Sequence, residues 1–446
     1  MSVVSQSTTH QNELLLFFTL LQLVIIVILG RIGSEIAART SQSRAVGEII
    51  IGILLGPSLF GLLAPDLFNY VFKSSPPQPM FILSQIGLVL LMFQIGLEFD
   101  FSHLAAKHNR RAVLRITAFN IALPFALGFA FGYYTAPLLS PLANQMASGL
   151  FVATAFSITA LPILGRILME FDMTRTQLGV IAISSAAITD VIGWLMLAVV
   201  TAIALSDFSL GGFAQTMAIL VLYIAVSWLL VRPALHRAIK HSVVSEHRFS
   251  NNLLGLLIAT IFISAMATYQ IGIFAIFGGF MIGVLLHDQH EVVTAWRKKV
   301  GEFVTVFFLP IFFTYTGLRT NVGGLDSWEL WGWCALLIFL ATLGKFVGCY
   351  LAAKWSGLNH TESKVIGILM NTRGLMELII INVGFDLGVI SQNVFTMLVL
   401  MAIFSTVITA PALRRWLPGL GMSVKMHGGK VAVTAPASSG KQGREK

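Results

Sequence analysis

Residues 180–205 read VIAISSAAITDVIGWLMLAVVTAIAL, an apolar run interrupted near its middle by Thr189 and Asp190. About 20 mostly apolar residues suffice for a helix to cross the hydrocarbon core of a bilayer. A carboxylate inside such a helix is costly unless it is solvated, paired or protonated, so an intramembrane aspartate is a candidate functional residue. The rest of the chain places this run in a membrane. Charged residues are 11% of its 446 residues, against roughly 25% in soluble domains, and the mean hydropathy is +0.83. Most of the chain must face lipid or a core shielded by lipid.

Thirteen segments are long and apolar enough to be read as spans: roughly 14–30, 44–63, 81–99, 112–134, 145–169, 176–205, 212–231, 251–268, 272–287, 300–318, 328–352, 363–385 and 392–413. A net charge of +9 and a pI near 9.7 would suggest a nucleic-acid partner in a soluble chain. Here the basic residues fall in short loops, where they report topology. Arg31, Arg39, Arg44, Lys107, Arg110, Arg111, Arg115, Arg166, Arg175, Arg232, Arg237, Lys240, Arg248, Arg297, Lys298, Lys299, Lys354 and Lys364 lie in or beside loops that follow odd-numbered segments. Loops on the other side hold only Lys73 and Arg319. The positive-inside rule then puts the N-terminus outside and the C-terminal stretch, itself basic, in the cytoplasm.

The domain reading follows: residues 1–13 as an extracytoplasmic segment, 14–418 as one membrane domain, and 419–446 as a disordered basic cytoplasmic tail without apolar periodicity. Residues 1–12 carry no Lys or Arg ahead of the first apolar run, so that run is expected to be a mature helix rather than a cleaved signal or transit peptide. No appended soluble domain is expected within that tail. Cys334 and Cys349 share one segment, about 22 Å apart along a helix at ~1.5 Å per residue, so they cannot bridge within it.

Thirteen spans divide as six, one and six, and an odd linker inverts the second half relative to the first. Inverted repeats with helices broken near the midplane are a recurring transporter design. The fifth segment carries Thr154, Ser157 and Thr159 ahead of Pro162, which lacks a backbone donor. The twelfth carries Asn371-Thr372-Arg373-Gly374 in mid-span. Both are candidate unwound segments, at corresponding positions of the two halves. Two basic residues also lie inside segments, Lys345 in the eleventh and Arg373 in the twelfth. Arg373 and Glu377, spaced i, i+4, can pair on one helix face. Lys345 could pair with a carboxylate, Asp190 included. Asp190 with the Thr189 hydroxyl offers hard oxygen ligands to a monovalent cation, and the same carboxylate can hold a proton instead. A group that binds either but not both is a minimal exchanger. Glu48 and Asp386 are expected at the membrane interfaces, and His287-Asp288-Gln289-His290 in a solvated loop.

These residues resemble the monovalent cation:proton antiporter-2 family, which includes bacterial sodium/proton antiporters and plant cation/proton exchangers. The matching stretches, in order, are Gly52-Ile53-Leu54-Leu55-Gly56-Pro57, Gly96-Leu97-Glu98, Ser157 to Leu164, Thr189-Asp190, Gly278-Gly279-Phe280, Pro310-Ile311-Phe312-Phe313, Gly317-Leu318-Arg319 and Asn371 to Glu377. The resemblance implies an all-α polytopic fold of inverted six-helix repeats with two crossed discontinuous helices. It also implies a homodimer whose protomers divide into a dimerisation part (helices 1–3 and 8–10) and a core part (helices 4–6 and 11–13), with elevator-like alternating access. Asp190 stands at the family's ion-binding aspartate and Lys345 at the lysine of electrogenic members. The pair Thr189-Asp190 departs from the Asp-Asp and Asn-Asp pairs usual there.

The function expected is antiport of Na+, or alternatively K+, against H+, with no enzyme activity and no cofactor. Asp190, Thr189, Thr154 and Ser157 would bind the cation, while Lys345, Arg373 and Glu377 balance charge. A bacterial plasma membrane is the expected location, an internal energised membrane the alternative. A potassium efflux or uptake system of the same family is one rival reading. An intramembrane aspartyl protease is the remote one; it needs two carboxylates sharing a proton, and the chain has neither of the aspartate motifs that resemblance to that class would require.

Overall fold

The computed structural model describes residues 2–40, 42, 44–97, 110–171, 173, 176–205, 210–246, 250–272, 274–420, 423–427 and 430–434. Glu98, the loop residues Lys107, Arg175 and Arg248, and residues 435–446 lie outside the described residues.

The membrane part is all α, and its helices satisfy within themselves the backbone hydrogen bonds that lipid cannot supply. In chain order the helices are α1 (Ser2–Arg39), α2 (Arg44–Leu54), α3 (Gln78–Leu97), α4 (Arg110–Leu139), α5a (Gln145–Ser157), α5b (Leu161–Glu170), α6 (Gln177–Leu205), α7 (Leu210–Val226), α8 (Asn251–Gln270), α9 (Ala275–Leu285), α10 (Leu309–Arg319), α11 (Trp328–Trp355), α12a (His360–Met370), α12b (Leu375–Asp386) and α13 (Gln392–Val407). Several helix starts are written in the sequence as N-caps. Asn144, Ser250, Ser327 and Ser391 each accept a backbone N–H of the first turn. Asn359 and Glu362 form a reciprocal capping box at α12a.

Among the described residues, eight helices are long and apolar enough to cross a membrane, and up to ten if each bent pair is one span. Each of the segments read from the sequence overlaps a helix or a broken helix. The second is shorter than expected: α2 stops at Leu54, because Gly56-Pro57 ends the hydrogen-bond ladder, and only short helical turns follow at Phe60–Leu63 and Pro65–Phe68. Ser423–His427 (β1) and Lys430–Thr434 (β2) pair antiparallel, opposing Val424 to Val433 and Met426 to Val431.

The helices fall into two packing groups. In one, α1, α2, α3, α8, α9 and α10 pack on one another; in the other, α4, α5a, α5b, α6, α11, α12a, α12b and α13 do. We call them the frame and the core. They are joined in sequence by α7, which runs through a wider turn at Ser227–Val231 into a helix over Arg232–Glu246.

Candidate functional site

The core is organised around two interrupted helices. Between α5a and α5b the chain is extended at Ile158 (φ −79°, ψ 146°) and Ala160 (φ −83°, ψ 90°), and Pro162 opens α5b, where its missing N–H leaves no bond unmade. Between α12a and α12b the axis bends by 43°. Gly374 has φ 152° there, and a Cβ on it would stand 2.1 Å from Ile163 Cδ1. That backbone conformation favours glycine, and a Cβ would in addition have to push the tip of Ile163 aside. The two breaks cross and bond to each other: Ala160 N donates to Thr372 O at 3.1 Å, and Thr159 Oγ1 donates to Met370 O at 3.2 Å.

Three of the four half-helix ends meet the charge their dipoles favour, and the fourth, the C-terminal end of α12a, meets the Thr159 hydroxyl. The last carbonyls of α5a accept from cations: Ala155 O and Phe156 O from Arg373 at 2.9 Å each, and Ser157 O from Lys345 Nζ. Glu377 lies in the first turn of α12b and takes Arg373 at 2.7 Å in a fully buried ion pair. Near the first turn of α5b lies Asp190, 2% exposed. The Leu161 N–H and the Lys345 charge act on its carboxylate. Neither carboxylate oxygen closes a hydrogen bond, and the side-chain amide of Asn371, also buried, closes none either. Asp190 reaches the break because α6 packs tightly there, with a Cβ on Gly193 only 2.6 Å from Ile158.

Lys345 is not ion-paired with Asp190: no ammonium–carboxylate contact within 4.0 Å joins them. Its ammonium instead donates to three neutral oxygens, Asn120 Oδ1 at 3.0 Å, Thr159 Oγ1 at 2.7 Å and Ser157 O. Flanking glycines let α11 lie close enough for this. A Cβ at Gly344 would be 3.1 Å from Pro124 Cα, and one at Gly348 2.9 Å from Phe119 O.

The structure brings Asp190, Thr189, Thr159, Lys345 and Ser157 into one crossing region, with Arg373 and Glu377 on its other side. Ser157 contributes its carbonyl there. Its hydroxyl donates to Ala153 O at 2.8 Å and Ile121 O at 3.2 Å, while Thr154 Oγ1 donates to Leu150 O at 2.9 Å. The sequence reading missed Asn120. Its Nδ2 donates to Thr159 Oγ1 at 3.1 Å and Thr189 Oγ1 at 2.9 Å. The signal was there: an amide in mid-span, four residues before Pro124, a spacing that also frees the Asn120 carbonyl from the helix ladder. Glu48, expected at an interface, is 6% exposed. Asp386 pairs with Arg319.

A family model described as "Sodium/hydrogen exchanger, transmembrane" matches residues 23–417. The Na(+)/H(+) antiporter NhaS4 of Synechocystis is 37% identical over 402 residues, covering 90% of this chain and 97% of that protein. The cation/H(+) antiporter 17 of Arabidopsis thaliana is 35% identical over 88% of this chain, which spans only 47% of that longer protein. The structure of the sodium proton antiporter MjNhaP1 of Methanocaldococcus jannaschii superimposes with a TM-score of 0.61 at 14% identity, over 89% of this chain and 96% of that one, so the fold is shared. A family match across nearly the whole membrane part, joined to a crossing of two broken helices around a buried aspartate, places the chain: it belongs to the sodium/hydrogen exchanger family, a family of multi-pass membrane transporters.

Proposed function

We propose that this protein is a secondary antiporter that exchanges a monovalent cation for H+, with Asp190 binding either ion in competition. The observation that supports this most is the state of the Asp190 carboxylate, buried with neither oxygen hydrogen-bonded. A buried ionised carboxylate with no hydrogen bond closed is disfavoured even with the Leu161 N–H and the Lys345 charge near it, which favours uptake of a proton or a cation. Either ligand removes the penalty, and both cannot bind at once. The Thr189 hydroxyl, the Thr154 hydroxyl on α5a, and the Ser157 and Thr159 oxygens at the α5a–α5b break, which here hold the Lys345 ammonium, are the neutral oxygens from which a shell of hard ligands would be completed. Sodium is the favoured cation, being the one named for the Synechocystis relative over almost its whole length; potassium is the alternative.

In this reading the core moves against the frame to expose Asp190 alternately to the two sides, two copies associate through their frames, and the N-terminus lies outside with the C-terminus in the cytoplasm. The test is the collapse of a preset pH gradient in proteoliposomes on addition of Na+, K+ or Li+, with the membrane potential free or clamped. Wild type should respond to at least one cation. Asp190→Asn should respond to none while keeping its thermal unfolding profile, and retained exchange in that variant would overturn the assignment.

A further inference from the structure

We propose that Asn120 is a positioning residue that parks the Lys345 ammonium away from Asp190, so that the carboxylate stays open to the transported ion. The inference rests on Asp190 being the binding carboxylate.

Three observations lead to it. First, Asn120 is fully buried, and every polar position of its amide is used: Oδ1 accepts from Lys345 Nζ at 3.0 Å and from Cys349 Sγ at 3.3 Å, and Nδ2 donates to Thr159 and Thr189. The orientation of the amide is settled, because an ammonium can only donate and so must face Oδ1. Second, the ammonium has three N–H groups and spends all of them on neutral oxygens, leaving none for a carboxylate that attracts it across a low-dielectric interior. Third, Asn120 acts on two of those three contacts. It supplies one acceptor itself and fixes a second by donating to Thr159 Oγ1, which in turn donates to Met370 O.

Without Asn120 the ammonium loses one ligand, and another is loosened. Its flexible four-carbon stem then lets it follow the attraction toward Asp190, where it competes with the incoming cation. The sequence neighbour Thr189 is held by the same amide, so the two residues of the Thr189-Asp190 pair part company: one is wired to Lys345 through Asn120, the other stands apart.

The experiment measures cation binding without turnover, as the rise in thermal stability with Na+ concentration, repeated with K+. Wild type, Asn120→Ala, Lys345→Gln and the double variant are compared, with Asn120→Ser as a milder form should the alanine variant fold poorly. Asn120→Ala is expected to raise the half-saturating cation concentration about tenfold, whereas in the Lys345→Gln background the same change should shift it by less than about twofold. An equal shift in both backgrounds, or no shift in either, overturns the proposal, since Asn120 would then act on the ion directly or not at all. Asp190→Asn measured alongside separates the two claims. If it abolishes the cation effect while the Asn120 shift is the same with and without Lys345, the parking role fails and Asp190 stands. If it leaves the cation effect intact, the carboxylate assignment itself is wrong, and the parking role falls with it.

Discussion

The frame and the core are made of the same apolar residue types and solve opposite problems. The frame brings backbone against backbone. A Cβ at Gly317 would stand 2.0 Å from the carbonyl oxygen of Gly52, one at Gly283 2.2 Å from that of Phe93, and one at Gly279 2.3 Å from that of Val89. Small residues at such contacts are how helices associate in lipid, where no hydrophobic force drives them together. The core interrupts its helices and buries Asp190, Lys345, Arg373 and Glu377, whereas Glu48 is the one charged residue among the described residues buried in the frame. Violations of local rules concentrate at functional sites, and here they are nearly all on one side of the molecule. The lesson is a division of labour: one half fixes geometry, and the other stores the polar groups that chemistry needs.

The sharpest way to break this comparison is to overfill the frame. Gly317→Leu drives a side chain into the Gly52 backbone, which cannot move aside as a flexible side chain would. It should abolish recovery of folded protein from the membrane. Gly255→Leu, at a position on α8 with nothing within 4 Å of a new Cβ, should leave size-exclusion behaviour and thermal unfolding unchanged. If both variants behave alike, tight glycine contacts are not what holds the frame.

In the core the largest stability effect should come from the Arg373–Glu377 pair. Removing one partner of a buried pair typically costs about 3–5 kcal/mol, because a charge is left uncompensated. Glu377→Gln and Arg373→Met should each fall in that range by chemical or thermal unfolding. Replacing both with apolar residues often restores stability in soluble proteins, but here it should restore it only in part. Arg373 also caps Ala155 O and Phe156 O, and those carbonyls stay bare in the double variant. Full recovery would show that the cap on α5a adds nothing.

How far the sequence could be read follows the same division. The spans, the break positions and the buried charges were legible, because apolar length, Pro162, Gly374 and ionisable residues in mid-span are local signals. Which oxygen faces which cation was not. Ser157 offers its carbonyl rather than its hydroxyl, and Lys345 turns to Asn120 and Thr159 rather than to a carboxylate, because both depend on how α4, α5 and α11 meet. Asn120 was overlooked because a single amide in an apolar helix stands out less than a charge. The burial of Glu48 depends on packing in the frame, which a single-chain pattern of hydropathy does not encode, whereas the early end of α2 is written locally in Gly56-Pro57 and is hidden only when apolar length alone is counted.

The boundary between frame and core offers a smaller effect. Among the described residues most of its polar contacts gather at one end, where Arg319 on α10 meets Asp386 and Asn382 on α12b and lies 4.6 Å from the Phe385 ring. Thr316 accepts from Asn382 at 2.8 Å, and Asn321 N donates to Thr396 at 3.3 Å. If the core moves during transport, these contacts break once per cycle. Arg319→Gln should change unfolding by no more than about 1 kcal/mol, the usual value of a partly exposed pair. It should change the exchange rate at saturating cation more than it changes stability. A rate that tracks stability alone would argue that this end of the boundary does not move.

The smallest effect belongs to the linker after α7, where ordinary aqueous electrostatics returns. Arg232 donates to Asp288 at 2.8 Å, and His236 lies 3.5 Å from the other oxygen. Partial burial raises the acid's pKa, but the Arg232 hydrogen bond and the neighbouring charges of His236, Arg232 and His287 outweigh it and hold Asp288 below the usual aspartate range. An acid with a depressed value in the folded state stabilises the fold above its unfolded value of about 3.9, and that contribution fades as pH falls through the folded value. Asp288→Asn should therefore lower stability by less than about 1 kcal/mol near neutral pH, with the difference from wild type closing on acidification. Molar salt should shrink the difference as well, because exposed charges are screened over a few ångström at that ionic strength. The buried Arg373–Glu377 pair, shielded from solvent, should be nearly indifferent to salt, so the ratio of the two salt responses measures directly how differently water reaches the two regions.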